Sequence, residues 1–513
     1  MNLRLLSKLL GIVAMLIGGA MLLCLPFALP ELGYRRHLDY SVPPAFERDG
    51  ARALIESTLI SIGVGGILFL VGRGTQGRLF RKESLAVVGL SWVLGALPFY
   101  FAECHREPDE RMSFVDCLFE SQSGFSTTGA TTISDLEDPE LVPHCILFWR
   151  SMTHFLGGMG IIVLFVVILG QGSAGKALMR AEMPGPSKEG VTPRMQDTAW
   201  LFALVYCGLN AVLATILWLC GMSLFDALCH AFGTMATGGY STYNASVGHF
   251  QSAVIEYVLI VFMLAAGTNF SLLYYLLAFK PAKLFRDVEW QTYAGLVVAI
   301  ATLVTTVGLW QRDFGSVEEA VRYGLFQVVS IITTTGYGTH DLDQWSHVAR
   351  GALFLLIFVG GCAGSTAGGL KVIRHILFLK VLRLEVEHSY RPNVVRTLRL
   401  GGRPVDDPEL QRNILTYFAL ILAIFIFGWM FVVTLEPDAT WGEATSNKLI
   451  DSASGVAATL NNIGPGLGTV GSTRNYGHFS GWSKMLFIWL MMLGRLEIFS
   501  ILVLFAPGFW KSR

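Results

Sequence analysis

Charge is what this chain has least of. Only 15% of its 513 residues are Asp, Glu, Lys or Arg, and 38 basic residues cancel 38 acidic ones. A zero net charge gives no electrostatic footing for nucleic-acid binding, so no nucleic-acid partner is expected. Cysteine is sparse as well. Its eight copies lie scattered, mostly in apolar stretches (Cys24, Cys207, Cys220, Cys362), with no CxxC pair, which argues against metal and redox sites. Cys104, Cys117 and Cys145 flank one loop, where a disulfide is not the favoured reading. The apolar segments hold no HExxH, Ser/His or paired-acid arrangement, and His154 and His230 stand alone, so the chain does not read as an enzyme. The first apolar stretch follows Arg4 and Lys8 and shows no clear small-residue cleavage site, which favours a retained span over a signal peptide.

Apolar residues, by contrast, make up 53% of the chain, and mean hydropathy is positive. A membrane span takes about 20 apolar residues. Such stretches fall near 5–30, 52–72, 83–103, 144–170, 198–220, 252–279, 290–311, 349–383, 413–435 and 483–509. The expected fold is an all-α polytopic membrane protein with ten transmembrane helices. Residues 1–80 carry two extra N-terminal helices. Four repeats of helix, pore loop and helix follow at 81–172, 196–280, 287–385 (with an interrupted helix) and 411–513. Basic residues cluster in 73–82, 171–197, 280–286 and 371–412, all on one side of a ten-span chain. The positive-inside rule makes that side, and both termini, cytoplasmic. The loop 31–51 dissents with Arg35, Arg36 and Arg48, but acidic residues accompany them.

The repeats rest on four Thr/Gly loops. The third, Thr334-Thr335-Gly336-Tyr337-Gly338, is one substitution from the TVGYG filter of potassium channels. Its relatives contain Thr127-Thr128-Gly129, Thr237-Gly238 and Asn462-Ile463-Gly464. Aligned on Gly129, Gly238, Gly336 and Gly464, three of them follow an acid at a similar offset (Asp116, Asp226, Asp451), and the third has Tyr323-Gly324 there. A run of about ten residues before each loop gives a helix of roughly 15 Å, half the hydrocarbon thickness. Its C-terminal end, partially negative, would meet a cation at mid-membrane. Thr and Gly supply closely spaced carbonyls that can replace the hydration shell of potassium, and four copies imply a ring with pseudo-fourfold symmetry. The fourth loop differs most, with Asn461, Asn462, Ile463 and Pro465, so the ring should be irregular and discriminate less sharply against sodium.

Two further features sit beyond the loops. Gly360, Gly361, Gly364, Gly368 and Gly369 interrupt the eighth span and, with Ser365 and Thr366, suggest a broken helix that can block the path; close packing through small residues is the other reading. Arg495 lies within the tenth span, where a buried arginine is costly. It could form a barrier in the pore, pair with carbonyls of the glycine segment, or clamp helices together. Glu120 reads as a hydrogen-bonded support for the first loop.

The four loops, the run Gly360–Gly369 and the Leu-Gly-Arg-Leu-Glu-Ile stretch around Arg495 resemble the TrkH/KtrB/HKT superfamily of potassium transporters over essentially the whole chain. The two extra N-terminal spans favour its bacterial TrkH branch. The resemblance implies potassium uptake across the bacterial inner membrane, either channel-like or coupled to protons or sodium. It also implies a homodimer, no organic cofactor on this chain, and cytoplasmic TrkA-type regulatory subunits that bind nucleotide. It makes Gly360–Gly369 the gating segment with Arg495 beside it. In that family a serine at the first filter glycine goes with sodium transport, and here that position is Gly129. The basic 371–412 segment would meet the regulatory ring or anionic membrane lipids. The alternatives are a transporter of sodium or of a small organic solute, the latter usually built from two inverted repeats.

Overall fold

A computed structural model describes residues 2–33, 46–75, 81–95, 104–107, 110–160, 195–392, 398–400, 403–405, 408–496 and 498–510. Lys176, Arg180, Lys188, Arg35, Arg36, Arg78 and Glu497, on which parts of the sequence reading depend, lie outside them, as does Arg194. Helices dominate. The all-α expectation holds, with two small additions: β1 (His105–Glu107) pairs antiparallel with β2 (Glu110–Arg111), and β3 (Leu398–Leu400) with β4 (Arg403–Val405).

The chain begins with α1 (Leu3–Leu22) and α2 (Arg48–Val71). They approach closely because Gly11 faces the Gly65 carbonyl and Gly65 faces that of Gly11; a Cβ at either would clash. Small residues permit this backbone contact between apolar helices. After α3 (Arg81–Gly95) the pattern changes. Four helices of 12, 12, 16 and 13 residues, too short to cross a bilayer, alternate with longer ones. They are α4 (Phe114–Phe125), α7 (Leu224–Met235), α11 (Val317–Ile332) and α15 (Lys448–Leu460). The first two begin alike: Ser113 and Ser223 accept the N–H of Asp116 and Asp226 and donate to the same carboxylates. In α11 the arrangement recurs one turn earlier, with Ser316 accepting from the N–H of Glu319. Tyr323 replaces an acid in the sequence because this helix is a turn longer. A cap with an acid at its third position satisfies free amides and complements the helix dipole.

Among the described residues, five helices are long and apolar enough to cross a membrane: Leu3–Ala28, Arg48–Val71, Asp197–Leu219, Val288–Gln311 and Arg412–Leu435. Four of these match α1, α2, α6 (Met195–Leu219) and α10 (Val288–Gln311); the fifth is most of α14 (Pro408–Leu435). A bent pair, α8 (Ala253–Ala266) and α9 (Phe270–Leu277), makes a sixth, kinked by 112°. Among the described residues the other apolar stretches are short or broken, and those near 83–103 and 144–170 run on past the described residues. The helix α5 (His144–Met159) stops at Gly160, whose φ is 68°. The eighth stretch splits into α12 (His347–Leu356) and α13 (Val372–Tyr390) around a glycine-rich segment, and α16 (Gly481–Arg495) stops at extended Leu496. Hydropathy counts apolar residues but is blind to such changes of direction.

Candidate functional site: a ring of four turns

Each short helix ends in the same turn. The N–H of Thr128, Gly238, Thr335 and Ile463 donates to the carbonyl five residues back, at 2.8–2.9 Å. The residue before each donates three back, at 2.9–3.3 Å. This pair of bonds closes a helix C-terminus with one left-handed residue, usually glycine. Here that residue is Thr127, Thr237, Thr334 or Asn462, with φ of 51–55°. Left-handed backbone is rare for a β-branched residue and costs of order 1–3 kcal/mol each time. Two residues later comes a glycine with φ of 77–89°: Gly129, Gly239, Gly336 and Gly464. The second loop is thereby corrected by one residue: Gly239, not Gly238, is the counterpart of Gly129, and Gly238 matches Thr128, Thr335 and Ile463. With that register, all three acids (Asp116, Asp226, Asp451) precede their glycine by the same interval.

These glycines bring the turns together. A side chain on Gly129 would strike the carbonyl oxygen of Gly238; on Gly239, that of Thr335; on Gly336, that of Ile463; on Gly464, that of Thr128. The contacts run first to second, second to third, third to fourth and fourth back to first, a closed cycle. The four carbonyls belong to buried residues and accept no hydrogen bond among the described residues. Buried backbone oxygens without partners are uncommon, and four at matching places form a pattern.

Cavities flank the ring. One of about 70 Å³ touches Gly129, Gly239, Gly336 and Pro465, drawing on all four turns. The other, about 130 Å³, is lined by the segment 364–369 with Lys371, Arg374 and Arg495. The glycine segment is tied directly to the third turn, since the N–H of Gly368 donates to Thr334 Oγ1 at 2.7 Å. Thr366 donates its hydroxyl to the carbonyl of Met235, the last residue of α7, at 2.9 Å. Gly360 donates its N–H to Leu370 at 2.7 Å, and Gly361 accepts from Val372 at 3.1 Å, so the break is a closed loop and not a frayed helix. Ser365 donates to Cys362 within it. Gly364 and Gly369 have positive φ, and Gly369 lies against Asn461.

Arg495 donates to the carbonyls of Thr366 at 2.6 Å and Gly157 at 2.8 Å. Of the three sequence readings, the geometry shows carbonyl pairing, and by joining α16 to α5 and the glycine segment it clamps them as well. Glu120 is a support, as expected: it accepts from Thr131 and Thr132 and from Arg150. Cys104, Cys117 and Cys145 are all free thiols. Sequence reasoning missed Glu289, whose Oε1 accepts the N–H of Ala363 within the break and of Ile373 at the start of α13. It also missed Arg150 and Tyr240, which meet across the first and second repeats; a lone arginine in an apolar stretch was the available signal.

The model of the cation transport protein family TrkH matches residues 96–512. Among characterised relatives, the Trk system potassium uptake protein TrkH of Salmonella typhimurium is 36% identical over 520 residues, covering 100% of both chains. The protein of the same name from Halomonas elongata is 36% identical over 472 residues, covering 90% of this chain and 92% of the relative. The crystal structure of the potassium transporter TrkH from Vibrio parahaemolyticus superposes with a TM-score of 0.82 at 31% identity, covering 100% of both chains.

Proposed function

The chain belongs to the TrkH family of cation transport proteins, and from that premise we propose that it takes up potassium through the ring of four turns. A member of this family is a transporter and not an enzyme. The observation that carries the reading is the cycle of free carbonyls at Thr128, Gly238, Thr335 and Ile463. Such oxygens can stand in for the water around a potassium ion, whose hydration shell is held more loosely than that of sodium. Thr127, Thr237, Thr334 and Asn462 contribute the next layer toward the helix ends. Thr127 Oγ1 and the side-chain carbonyls of Asn461 and Asn462 are buried without hydrogen-bond partners among the described residues, as suits groups that meet a passing cation. The fourth turn, with Ile463 and Pro465, makes the ring unequal and leaves room for some sodium to pass.

In this reading the chain crosses the inner membrane ten times, its broken helices counted as crossings, with both termini cytoplasmic. Residues 1–80 precede four pore repeats (81–172, 196–280, 287–385, 411–513). The segment 360–369 closes the path under the ring, and Arg495 holds it to the first and fourth repeats. A second copy of the chain and a nucleotide-binding TrkA-type subunit complete the assembly, with the basic 371–412 segment as its contact. Expression in a bacterium lacking potassium uptake tests the whole: growth on low potassium is expected, and Gly336→Ser should abolish it or admit sodium. No rescue by the unmodified, membrane-inserted chain would refute potassium uptake. Flux into sealed liposomes under imposed proton or sodium gradients separates channel-like from coupled transport.

A further inference from the structure

Glu120 and Arg150 are the only oppositely charged pair among the described residues that lies directly behind the turns, and both are almost wholly buried, at 0% and 1% side-chain exposure. Glu120 Oε1 accepts the hydroxyl of Thr131 at 2.6 Å and the N–H of Thr132 at 2.5 Å, just past Gly129. Its Oε2 accepts from Arg150 Nε at 3.0 Å. Arg150 reaches on to donate to the carbonyl of Ser241 at 3.2 Å, just past Gly239, and its guanidinium lies 3.3 Å from the Tyr240 ring centre. Tyr240 in turn donates its hydroxyl to the Glu120 carbonyl at 3.0 Å. One buried pair thus fastens the outer ends of two neighbouring turns.

Among the described residues, no other repeat has an ion pair at this place. The position of Glu120, five residues before the end of its short helix, is His230 in the second repeat, Gln327 in the third and Gly455 in the fourth. His230 Nε2 meets Ser241 Oγ at 3.0 Å, in the place of the Glu120–Thr131 contact. The counterparts of Thr131 are Gly338 in the third repeat and Gly466 in the fourth, neither with a side chain to hold, and the amide nitrogen of Gln327 has no hydrogen-bond partner among the described residues. Charge-assisted bonds are the strong ones, and here they run from the first repeat into the second turn.

We propose that Glu120 and Arg150 are positioning residues that fix the first and second turns at the spacing potassium needs, and so set the discrimination against sodium. This rests on the ring being the ion path. Their contacts include the backbone of both turns, at Thr132 and Ser241, so their effect is read in ion preference and not merely in the amount of folded protein.

The test uses the full chain in proteoliposomes, with potassium and sodium entry measured separately and Gly336→Ser as the control. The double variant Glu120→Gln/Arg150→Gln leaves no lone buried charge, so it keeps the fold accessible. Sodium entry relative to potassium should rise about fivefold, the scale of one hydrogen bond in an equilibrium. Arg150→Lys keeps Glu120 paired but lacks the fork that reaches Ser241 as well, and should raise the ratio by a smaller factor. If the double variant does not insert, Arg150→Lys decides alone. An unchanged ratio in the folded variants, with Gly336→Ser altered, overturns the positioning role. An unchanged ratio in all of them instead overturns the ring as the ion path.

Discussion

Thr334 does two things at once. Its backbone takes the left-handed turn that ends α11, and its hydroxyl accepts the N–H of Gly368 from the glycine segment. A glycine would take the turn without strain, yet it could not make the link. The threonine therefore couples the third turn to the segment beneath it. Thr334→Ala removes the acceptor and leaves a buried N–H unsatisfied, at about 1–3 kcal/mol. The expected outcome is a change in potassium flux at constant driving force, with maximal protein yield little affected; unchanged flux would separate turn from segment. Gly336 bears on the ring itself. A side chain there meets the Ile463 carbonyl and Pro465, so even Gly336→Ala must push two turns apart. Growth on low potassium should fail for it as for Gly336→Ser.

Short helices and their turns were largely legible from sequence, because each signal is local. An acid near the start of an apolar run and Thr/Gly after it mark α4 and α7, while the capping serines came from the structure. Register within the second turn was not legible: Thr237-Gly238-Gly239 offers two adjacent glycines, and only the backbone angle shows which one matches Gly129. In α11 the acid was hidden by an extra turn, so an ungapped comparison met Tyr323 in place of Glu319. The partners of Arg495, Gly157 and Thr366, lie more than a hundred residues away in sequence, and no spacing reveals them. Caps carry measurable weight at this scale. Ser223 holds the first turn of α7 through Asp226, which also accepts from Thr242 and Tyr243. Ser223→Ala should lower stability by about 1 kcal/mol, visible as a lower melting temperature in detergent with the potassium/sodium ratio intact.

Across the whole molecule, a ring built from one chain must close between its first and last parts. Lys484 on α16 donates to Asp116 on α4 at 2.5 Å, and Asn462 donates to Thr128 at 2.8 Å. Both join the fourth repeat to the first. The Lys484–Asp116 pair is buried, so removing one partner strands the other; Asp116→Asn should destabilise by about 3–5 kcal/mol, while Asp116→Leu with Lys484→Met should cost far less. Thermal unfolding in detergent distinguishes the two. A loss of equal size in both would mean that shape, not charge, closes the ring.

The central claim is that four peptide oxygens from four different repeats surround one alkali ion. Anomalous diffraction from crystals soaked in rubidium, which mimics potassium, tests it most directly. A peak is expected on the axis between the carbonyls of Thr128, Gly238, Thr335 and Ile463, lost in Gly336→Ser. Rubidium bound only elsewhere in the protein, with that position vacant in crystals of the active transporter, would contradict it.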